Sequence, residues 1–327
     1  MKFNDDSKKR EIVIQLLKRV SPDFSVTGEA KIQKNVLLSP LSYAIVLSPK
    51  GDLIYYRAFS APVQDFRPHI VDGKIFYSIL QVTNSNVDVN SEGMRLILDE
   101  NFKVIAEHQK ITDGHEFHYL KPKHYVYLTY DVRDTPSGKC YLDQSVVEEI
   151  GGKETYRFSV YDYVKRGYLP DSSYNQSFKG RSCVGHFHLN TVQILGPNHW
   201  LLGFSGGLVI LWNKSKKTAE WIFNGPEDQF FAEGSQRPNV MHTPIWDPES
   251  SRLTLFDNDH LTKNARVIEY RLNIPEKKML SFREWRLNNG ISRFGGGIQV
   301  EGDSIFSVGF GAGATGTWDF AEIENGK

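Results

Sequence analysis

The chain has 327 residues, of which 40% are hydrophobic and 13% aromatic, so it can bury a sizeable core and favours strands over helices. Its 39 basic and 39 acidic residues give a net charge of zero, which argues against a nucleic acid or a membrane surface as partner. No apolar window is long enough to span a bilayer, so the sequence predicts a soluble chain.

The N-terminal segment predicts one short helix and no signal peptide. Residues 7–19 carry Ile12, Ile14, Leu16 and Leu17 among charged residues, a pattern that suits an amphipathic helix. Charges run through the whole segment and leave no apolar core of the kind that a secretory signal needs. The compartment stays open between the cytoplasm and export with a leader already removed.

The rest of the chain predicts short strands separated by tight turns. Turn signals such as SPKGD, VDGK and VEGD interrupt apolar runs such as LSYAIVLSPKGDLIYYRAF and MRLILDENFKVIAEH. Six such units begin near residues 40, 94, 140, 186, 240 and 291. Their spacing of about 40–55 residues is the range of β-propeller blades.

We therefore predict an all-β fold with two parts. Residues 1–35 form an N-terminal extension with the short helix, and residues 36–327 form a single six-bladed β-propeller domain. A large β-sandwich is the structural alternative. Residues 163–185 are expected to form a long loop, and loops of that length are usually functional or disordered. Cys140 and Cys183 form either one disulfide or two buried thiols, and the sequence leaves the oligomeric state unknown.

Histidines stand at the start of strand segments in three different predicted blades. The segments are GHEFHYL with His115 and His118, GHFHLNTVQIL with His186, His188 and Asn190, and NVMHTPIWDPESSRLTLFDND with His242. The innermost strand of a blade lines the central channel, so histidines at blade entrances would converge on one axial site. The bland alternative is that each histidine is a structural hydrogen-bonding residue. The H-x-H pair could also bind a metal, but its spacing supplies no complete ligand set.

Several of these segments resemble the arylsulfotransferase family, the PAPS-independent aryl-sulfate sulfotransferases. HLNTVQIL resembles that family's H-x-N-S/T-V segment, and WLLGFSGGLVILW is similar to the strand, serine and strand that follow it. MHTPIWDPESSRLTLFDND resembles its Q-H segment and L-F-D-N-G strand, and ARVIEYRL its S-R-V-x-E-Y hairpin. The similarity runs from about residue 40 to the C-terminus and is most specific between residues 186 and 272.

The resemblance implies a six-bladed propeller that moves a sulfuryl group between phenols without any cofactor or metal. His242 would be the nucleophile, His188 and Asn190 would hold the sulfuryl oxygens, and His115 would be a further channel histidine. The remaining candidates for binding a phenolic aryl sulfate are His186, Thr191, Ser205 and Arg293. A neutral imidazole is a competent nucleophile near pH 7, and fixed hydrogen-bond donors stabilise the charge that develops on three sulfuryl oxygens.

One departure from the family pattern keeps two other functions open. The family has an arginine shortly after the H-x-N strand, and here that position falls on Gly206 or its neighbour. Arg181, Arg237 or Arg293 could supply the missing cation. The first alternative is a non-catalytic propeller that binds a small anionic aromatic ligand or a protein. The second is a metal-dependent propeller hydrolase built on the four histidines His115, His186, His188 and His242.

Overall fold

The structure is a computed structural model of the chain. It describes residues 10–12, 24–26, 34–83, 92–134, 138, 140–165, 173–178, 181–186, 188–225, 227–230, 236–259, 264–287, 292, 295–300, 305–311 and 320–324. Strands dominate these residues, and α1 (Val160–Lys165) is the one α-helix within them. No helix in the described ranges is long and apolar enough to cross a membrane.

The N-terminal extension holds a small two-stranded sheet. Strand β1 (Arg10–Ile12) pairs antiparallel with β2 (Phe24–Val26), with Arg10 opposite Val26 and Ile12 opposite Phe24. The helix predicted over residues 7–19 is therefore wrong at Arg10–Ile12, because these backbone groups bond across strands instead of along a helix. The other residues of the predicted helix lie outside the described ranges.

The next two sheets follow in chain order and are fully antiparallel. The first contains β3 (Val36–Leu38), β4 (Tyr43–Leu47) and β5 (Leu53–Ala58), and the second contains β6 (Val63–Val71), β7 (Lys74–Val82), β8 (Glu92–Leu98) and β9 (Val104–Asp113). The VDGK sequence makes the turn between β6 and β7, as predicted. Asp72 and Gly73 both have positive φ, of 50° and 75°, which is the backbone of a two-residue hairpin that follows the sheet twist.

The third sheet is the largest and carries an added hairpin. It contains β10 (Phe117–Lys121), β11 (His124–Asp134), β12 (Cys140–Ile150), β13 (Lys153–Ser159), β14 (Ser173–Phe178) and β15 (Arg181–His186). The long loop predicted at residues 163–185 is partly wrong, because α1 covers its beginning and β14 and β15 form a hairpin that pairs with β12 in parallel. Cys140 and Cys183 form a disulfide between β12 and β15, which settles the pairing that the sequence left open.

Three further antiparallel sheets complete the series. They contain β16 (Leu189–Ile194), β17 (His199–Phe204), β18 (Val209–Asn213) and β19 (Thr218–Phe223); then β20 (Met241–Asp247), β21 (Arg252–Asp257), β22 (Arg266–Asn273) and β23 (Lys278–Arg286); then β24 (Gly297–Val300), β25 (Ile305–Gly309) and β26 (Phe320–Glu324).

The all-β prediction and the β-propeller prediction are confirmed, and the large β-sandwich is wrong. The prediction of a six-bladed propeller is wrong as well. Only four of the described sheets carry four antiparallel strands in succession, whereas the sheets β3–β5 and β24–β26 have three strands each. The repeat in the sequence marks hairpins, and a hairpin unit looks the same whether its sheet has three or four strands.

The core lies between neighbouring sheets. Five hydrophobic clusters each join two consecutive sheets, as in the cluster that packs Trp200 and Trp212 of the fourth sheet against Phe158 of the third. A fully buried side chain of this size contributes on the order of 2–3 kcal/mol. The first strands of neighbouring sheets also contact each other, β6 with β10, β16 with β20, and β20 with β24. These first strands therefore surround a common axis.

Candidate functional site

Three predicted histidines occupy the same place in three consecutive sheets. His115 lies two residues before β10, His188 lies directly before β16, and His242 is the second residue of β20. The strands β10, β16 and β20 are each the first strand of their sheet, so each histidine lies near the axis that the first strands surround. The backbone fixes two of these starts, since Ser205 N donates to His188 O at 2.7 Å and Met241 N donates to Ser205 O at 2.7 Å.

The ring of His115 lies against the rings of both other histidines. Nε2 of His188 lies 3.3 Å from Nε2 of His115, with ring centroids 4.8 Å apart. The ring of His242 stacks on that of His115 at 6.3 Å between centroids and 17° between planes. Residues 73 and 127 positions apart in the chain thus form one cluster, which we call the three-histidine site (His115, His188 and His242).

His115 is held by a buried carboxylate. Asp113 Oδ1 accepts from the backbone N of His115 at 2.8 Å and bonds its Nδ1 at 2.6 Å, and Asp113 is 1% exposed. Burial lowers the pKa of His115, but the Asp113 carboxylate outweighs burial and the pKa is raised. Burial in turn raises the pKa of Asp113, but the facing imidazolium outweighs it and the pKa is lowered. The two shifts therefore favour the charged forms of both groups, the Asp113 carboxylate and the His115 imidazolium.

His188 has the opposite electrostatic setting. Burial, followed by the charge on His115, lowers the pKa of His188 to about 3. His188 is therefore neutral at neutral pH, and its Nε2 can accept a hydrogen bond from Nε2 of His115. Its strand begins at a fixed place, because Gln144 Oε1 accepts from Leu189 N at 2.5 Å.

His242 is held by a neutral amide. Asn258 Oδ1 lies 2.7 Å from Nδ1 of His242, while Nδ2 of Asn258 donates to the carbonyl oxygens of Ser292 and Gly295 at 3.0 and 2.9 Å. Two acceptors on Nδ2 fix the orientation of the amide, so Oδ1 must receive the Nδ1 proton of His242. In its neutral form, the ring of His242 then has its lone pair on Nε2.

Asn190 and Thr191 join β16 to β20. Asn190 Nδ2 donates to Met241 O at 2.7 Å, and Thr191 Oγ1 donates to Asn190 Oδ1 at 3.1 Å and accepts from Thr243 N at 3.2 Å. Both residues are buried. These contacts position the strand of His242, and the predicted role of Asn190 and Thr191 in holding sulfuryl oxygens stays a prediction.

The other predicted binding residues contribute little that the structure describes. Ser205 acts through its backbone, as given above. The side chains of His186 and Arg293 lie outside the described residues. His118 bonds Val192 O at 2.8 Å with Nε2, so it ties β10 to β16 rather than joining the three rings. Burial and the Arg67 guanidinium lower its pKa to about 4.

The positive charge near the site comes from arginines that the sequence did not single out. Arg95 is 0% exposed and donates to Asp113 O at 2.8 Å, and Arg67 Nη2 donates to His115 O at 2.9 Å. Arg181 is exposed on β15 and pairs with Asp134, and Arg237 is exposed. At the position of the family arginine, a Cβ on Gly206 would meet no atom within 4 Å.

The charges around His115 balance. Asp65 accepts from Arg95 at 2.5 Å and pairs with Arg67, and Glu116 also pairs with Arg67. The cations are Arg67, Arg95 and the His115 imidazolium, and the anions are Asp65, Asp113 and Glu116. Net charge beside the rings is therefore close to zero in the unbound protein. In the sequence, the one sign of Asp113 is its position two residues before His115. Arg67 and Arg95 carry no such sign, because it is the register of their strands that brings them to the site.

In the part of the chain that the structure describes, no group of three His, Cys, Asp or Glu residues could hold a metal ion. The metal-dependent hydrolase therefore gains no support from these residues. His186, the fourth histidine of that hypothesis, has a side chain that the structure does not describe.

No protein-family model and no curated protein matches the chain. Among solved structures, the WD40 repeats of RRP9 align with a TM-score of 0.50 at 11% identity, over 89% of this chain and 90% of that chain. The structure of U3-55K aligns with a TM-score of 0.49 at 10% identity, over 89% of this chain and 91% of that chain. The C-terminal WD40 domain of Sif2 gives 0.43 at 10% identity, over 86% and 75%. At this identity the first alignment supports the β-propeller fold alone.

Proposed function

We propose that the protein is a β-propeller that binds a small anionic aromatic ligand at the three-histidine site. The observation that carries this proposal is the contact of three imidazoles from three consecutive sheets at the propeller axis. Imidazole N–H groups are good donors to sulfonate, sulfate and carboxylate oxygens, and the stacked rings of His115 and His242 offer an apolar face beside them. Such a mix of apolar surface and a few convergent polar groups is typical of ligand sites.

The near-balance of charge favours a binder of monoanions over a site for highly charged phosphates. Each arginine near the rings is already paired with a carboxylate. No unpaired guanidinium fork is therefore offered to the ligand by Arg67 or Arg95. Recognition would rest on imidazole donors, which suit one anionic group on an otherwise apolar molecule.

The proposal is tested by calorimetric titration with 4-nitrobenzenesulfonate, an aromatic monoanion that cannot lose its sulfur group by ester cleavage. We expect saturable binding by the wild-type protein, weakened at least about tenfold in His188→Ala, which corresponds to one lost charge-assisted hydrogen bond. His199→Ala is the matched control, since His199 pairs with Glu220 away from the axis. Unchanged affinity in His188→Ala, or equal loss in both variants, would rule the site out.

Sulfuryl transfer is the second candidate, and the fixed tautomer of His242 favours it. Nε2 of His242, with its proton held on Nδ1 by Asn258, would attack the sulfur of an aryl sulfate. The N–S bond forms as the S–O(aryl) bond breaks, and the phenolate leaves with a proton from Nε2 of His115. A second phenol would then give its proton to Nε2 of His115 and attack the sulfur. The O–S bond forms as the N–S bond breaks, which releases the His242 ring and restores the His115 imidazolium. The resemblance to arylsulfotransferases supports this candidate.

The two candidates separate with 4-nitrophenyl sulfate, given with and without a phenol acceptor. Transfer predicts phenol-dependent release of nitrophenol that is lost in His242→Ala and kept in His199→Ala. A protein that binds 4-nitrobenzenesulfonate but releases no nitrophenol would leave the binding function alone standing.

A further inference from the structure

The contact between His115 and His188 fixes where one proton lies. Their Nε2 atoms face each other at 3.3 Å, so a single proton can occupy the space between them. Asp113 bonds Nδ1 of His115 and raises the pKa of that ring, which favours the form with a proton on both nitrogens, and in this form Nε2 of His115 is a donor. His188 must be the acceptor, with no proton on Nε2. Without a ligand, Nε2 of His115 thus donates to His188 already, and Nε2 of His188 carries a lone pair.

An anion requires the reverse arrangement, because its oxygens accept hydrogen bonds and repel a lone pair. For both Nε2 atoms to donate to an anion, Nε2 of His188 must carry a proton, which comes either from its own Nδ1 or from solvent. The first source leaves the charge of the site unchanged, whereas the second adds one positive charge. We propose that the three-histidine site binds a monoanion together with one proton from solvent, which is taken up by His188. This inference rests on the proposed binding function and adds its dependence on pH.

The local charge balance favours this coupling. Three cations face three carboxylates around His115, so an added monoanion alone would leave an uncompensated negative charge in a buried place. Desolvating such a charge is costly, and protonation of His188 removes the imbalance. The low pKa of unbound His188 means that the proton is not already present near pH 7.

The groups that face His188 come from several elements. His115 on the segment before β10, Asp113 on β9 and His242 on β20 act on His188 directly, and Gln144 on β12 bonds the next residue, Leu189. Around His115 and His242 lie Asp65 and Arg67 on β6, Arg95 on β8, Glu116 before β10, and Asn258 after β21. His118 on β10 pairs with Glu116. Of these, Asp113 favours protonation of His188, whereas His115 and His242 oppose it. A bound anion would shift this balance toward protonation.

The test measures the affinity for 4-nitrobenzenesulfonate as a function of pH, since this probe stays a monoanion throughout. Coupling to one proton predicts that, as the pH is lowered from about 7.5 to about 5.5, Kd falls about tenfold for each pH unit. Calorimetry in buffers with different ionisation enthalpies should report about one proton taken up per bound anion. This second measurement uses the wild-type protein alone and does not depend on any variant folding.

Two variants assign the proton. His188→Gln keeps an N–H donor but cannot titrate, so it should bind with a Kd that no longer follows pH. His118→Gln is the matched control, because His118 is a neighbouring buried histidine that bonds Val192 O, and it should keep the wild-type slope. Binding by the wild type with a flat pH profile and no proton uptake would overturn the coupling and leave the binding function intact. Absence of binding at every pH would overturn both.

Discussion

The surroundings of His115 and His242 differ although both histidines enter at equivalent places in their sheets. Around His115 the partners are charged, with Asp113 on the ring and Arg95 behind it. Around His242 the partner is the neutral amide of Asn258, itself held by two backbone carbonyls. The same side chain is thus made a cationic donor in one sheet and a ring with a lone pair on Nε2 in another. The residue that bonds Nδ1, more than the histidine itself, decides the chemistry of each ring.

The largest effect is expected on the free energy of unfolding, when an ion pair near His115 is broken. Arg95→Met leaves the buried Asp65 carboxylate with Arg67 as one remaining cation of the two that it pairs with, and removes the bond to Asp113 O. Loss of one partner from a buried pair costs about 3–5 kcal/mol of the free energy of unfolding. Denaturant unfolding would measure this.

Arg181→Gln is the control for that measurement, because Arg181 and Asp134 form an exposed pair. It should leave the unfolding midpoint unchanged. If both substitutions have small effects, the buried charges around His115 do not stabilise the fold as described here.

The next largest effect is on the free energy of unfolding at acid pH. Two histidines with a lowered pKa, His188 and His118, should act on it with the opposite sign to His115. The folded pKa values of His188 and His118 are about 3 and about 4, so the unfolded chain binds protons below about pH 6.5 that the folded chain refuses. The free energy of unfolding should therefore fall by about 1 kcal/mol per pH unit for each of them between about pH 6 and pH 4.5.

His115 has the opposite sign, since its raised pKa gives stability that is present below about pH 6.5 and is lost as the pH rises through the folded value. His118→Gln and His188→Gln should each flatten the acid slope. A slope that neither substitution changes would show that other groups control acid unfolding.

A third prediction turns the His242 environment into that of His115. Asn258→Asp places a carboxylate on Nδ1 of His242, at the cost of the two bonds that Nδ2 gives to Ser292 and Gly295. An opposite charge at this distance should raise the pKa of His242 by about 1–2 units. Ring NMR titration would measure the shift, and any nitrophenol release should fall because the Nε2 lone pair is protonated. An unchanged pKa of His242 would mean that the residue that bonds its Nδ1 does not determine its protonation.

The smallest effect is expected from adding back a cation. Gly206→Arg introduces a guanidinium next to Ser205, whose backbone bonds both His188 and Met241. The position has room for a Cβ, so stability should change by no more than about 0.5 kcal/mol. Affinity for 4-nitrobenzenesulfonate should rise by up to about tenfold. Gly206→Gln is the neutral control, and equal gains from both would exclude a charge effect.

The meeting of the three histidines could be predicted because each precedes the first strand of its sheet, and first strands surround the axis of a propeller. Asp113 and Asn258 could not be assigned partners from the sequence, since the ring atom that each contacts depends on local backbone geometry. Arg67 and Arg95 come from the preceding sheet and reach His115 only through strand register. The helix predicted over residues 7–19 is wrong at Arg10–Ile12, because a short amphipathic pattern is also compatible with an edge strand.

A crystal structure of the protein with 4-nitrobenzenesulfonate would test most directly that the three histidines form one anion site, because the sulfonate oxygens and the rings are located together. We predict sulfonate oxygens within hydrogen-bond distance of Nε2 of both His115 and His188, beside the ring of His242. A sulfonate bound elsewhere while these rings keep their mutual contact, or rings that point to separate surfaces, would contradict the account.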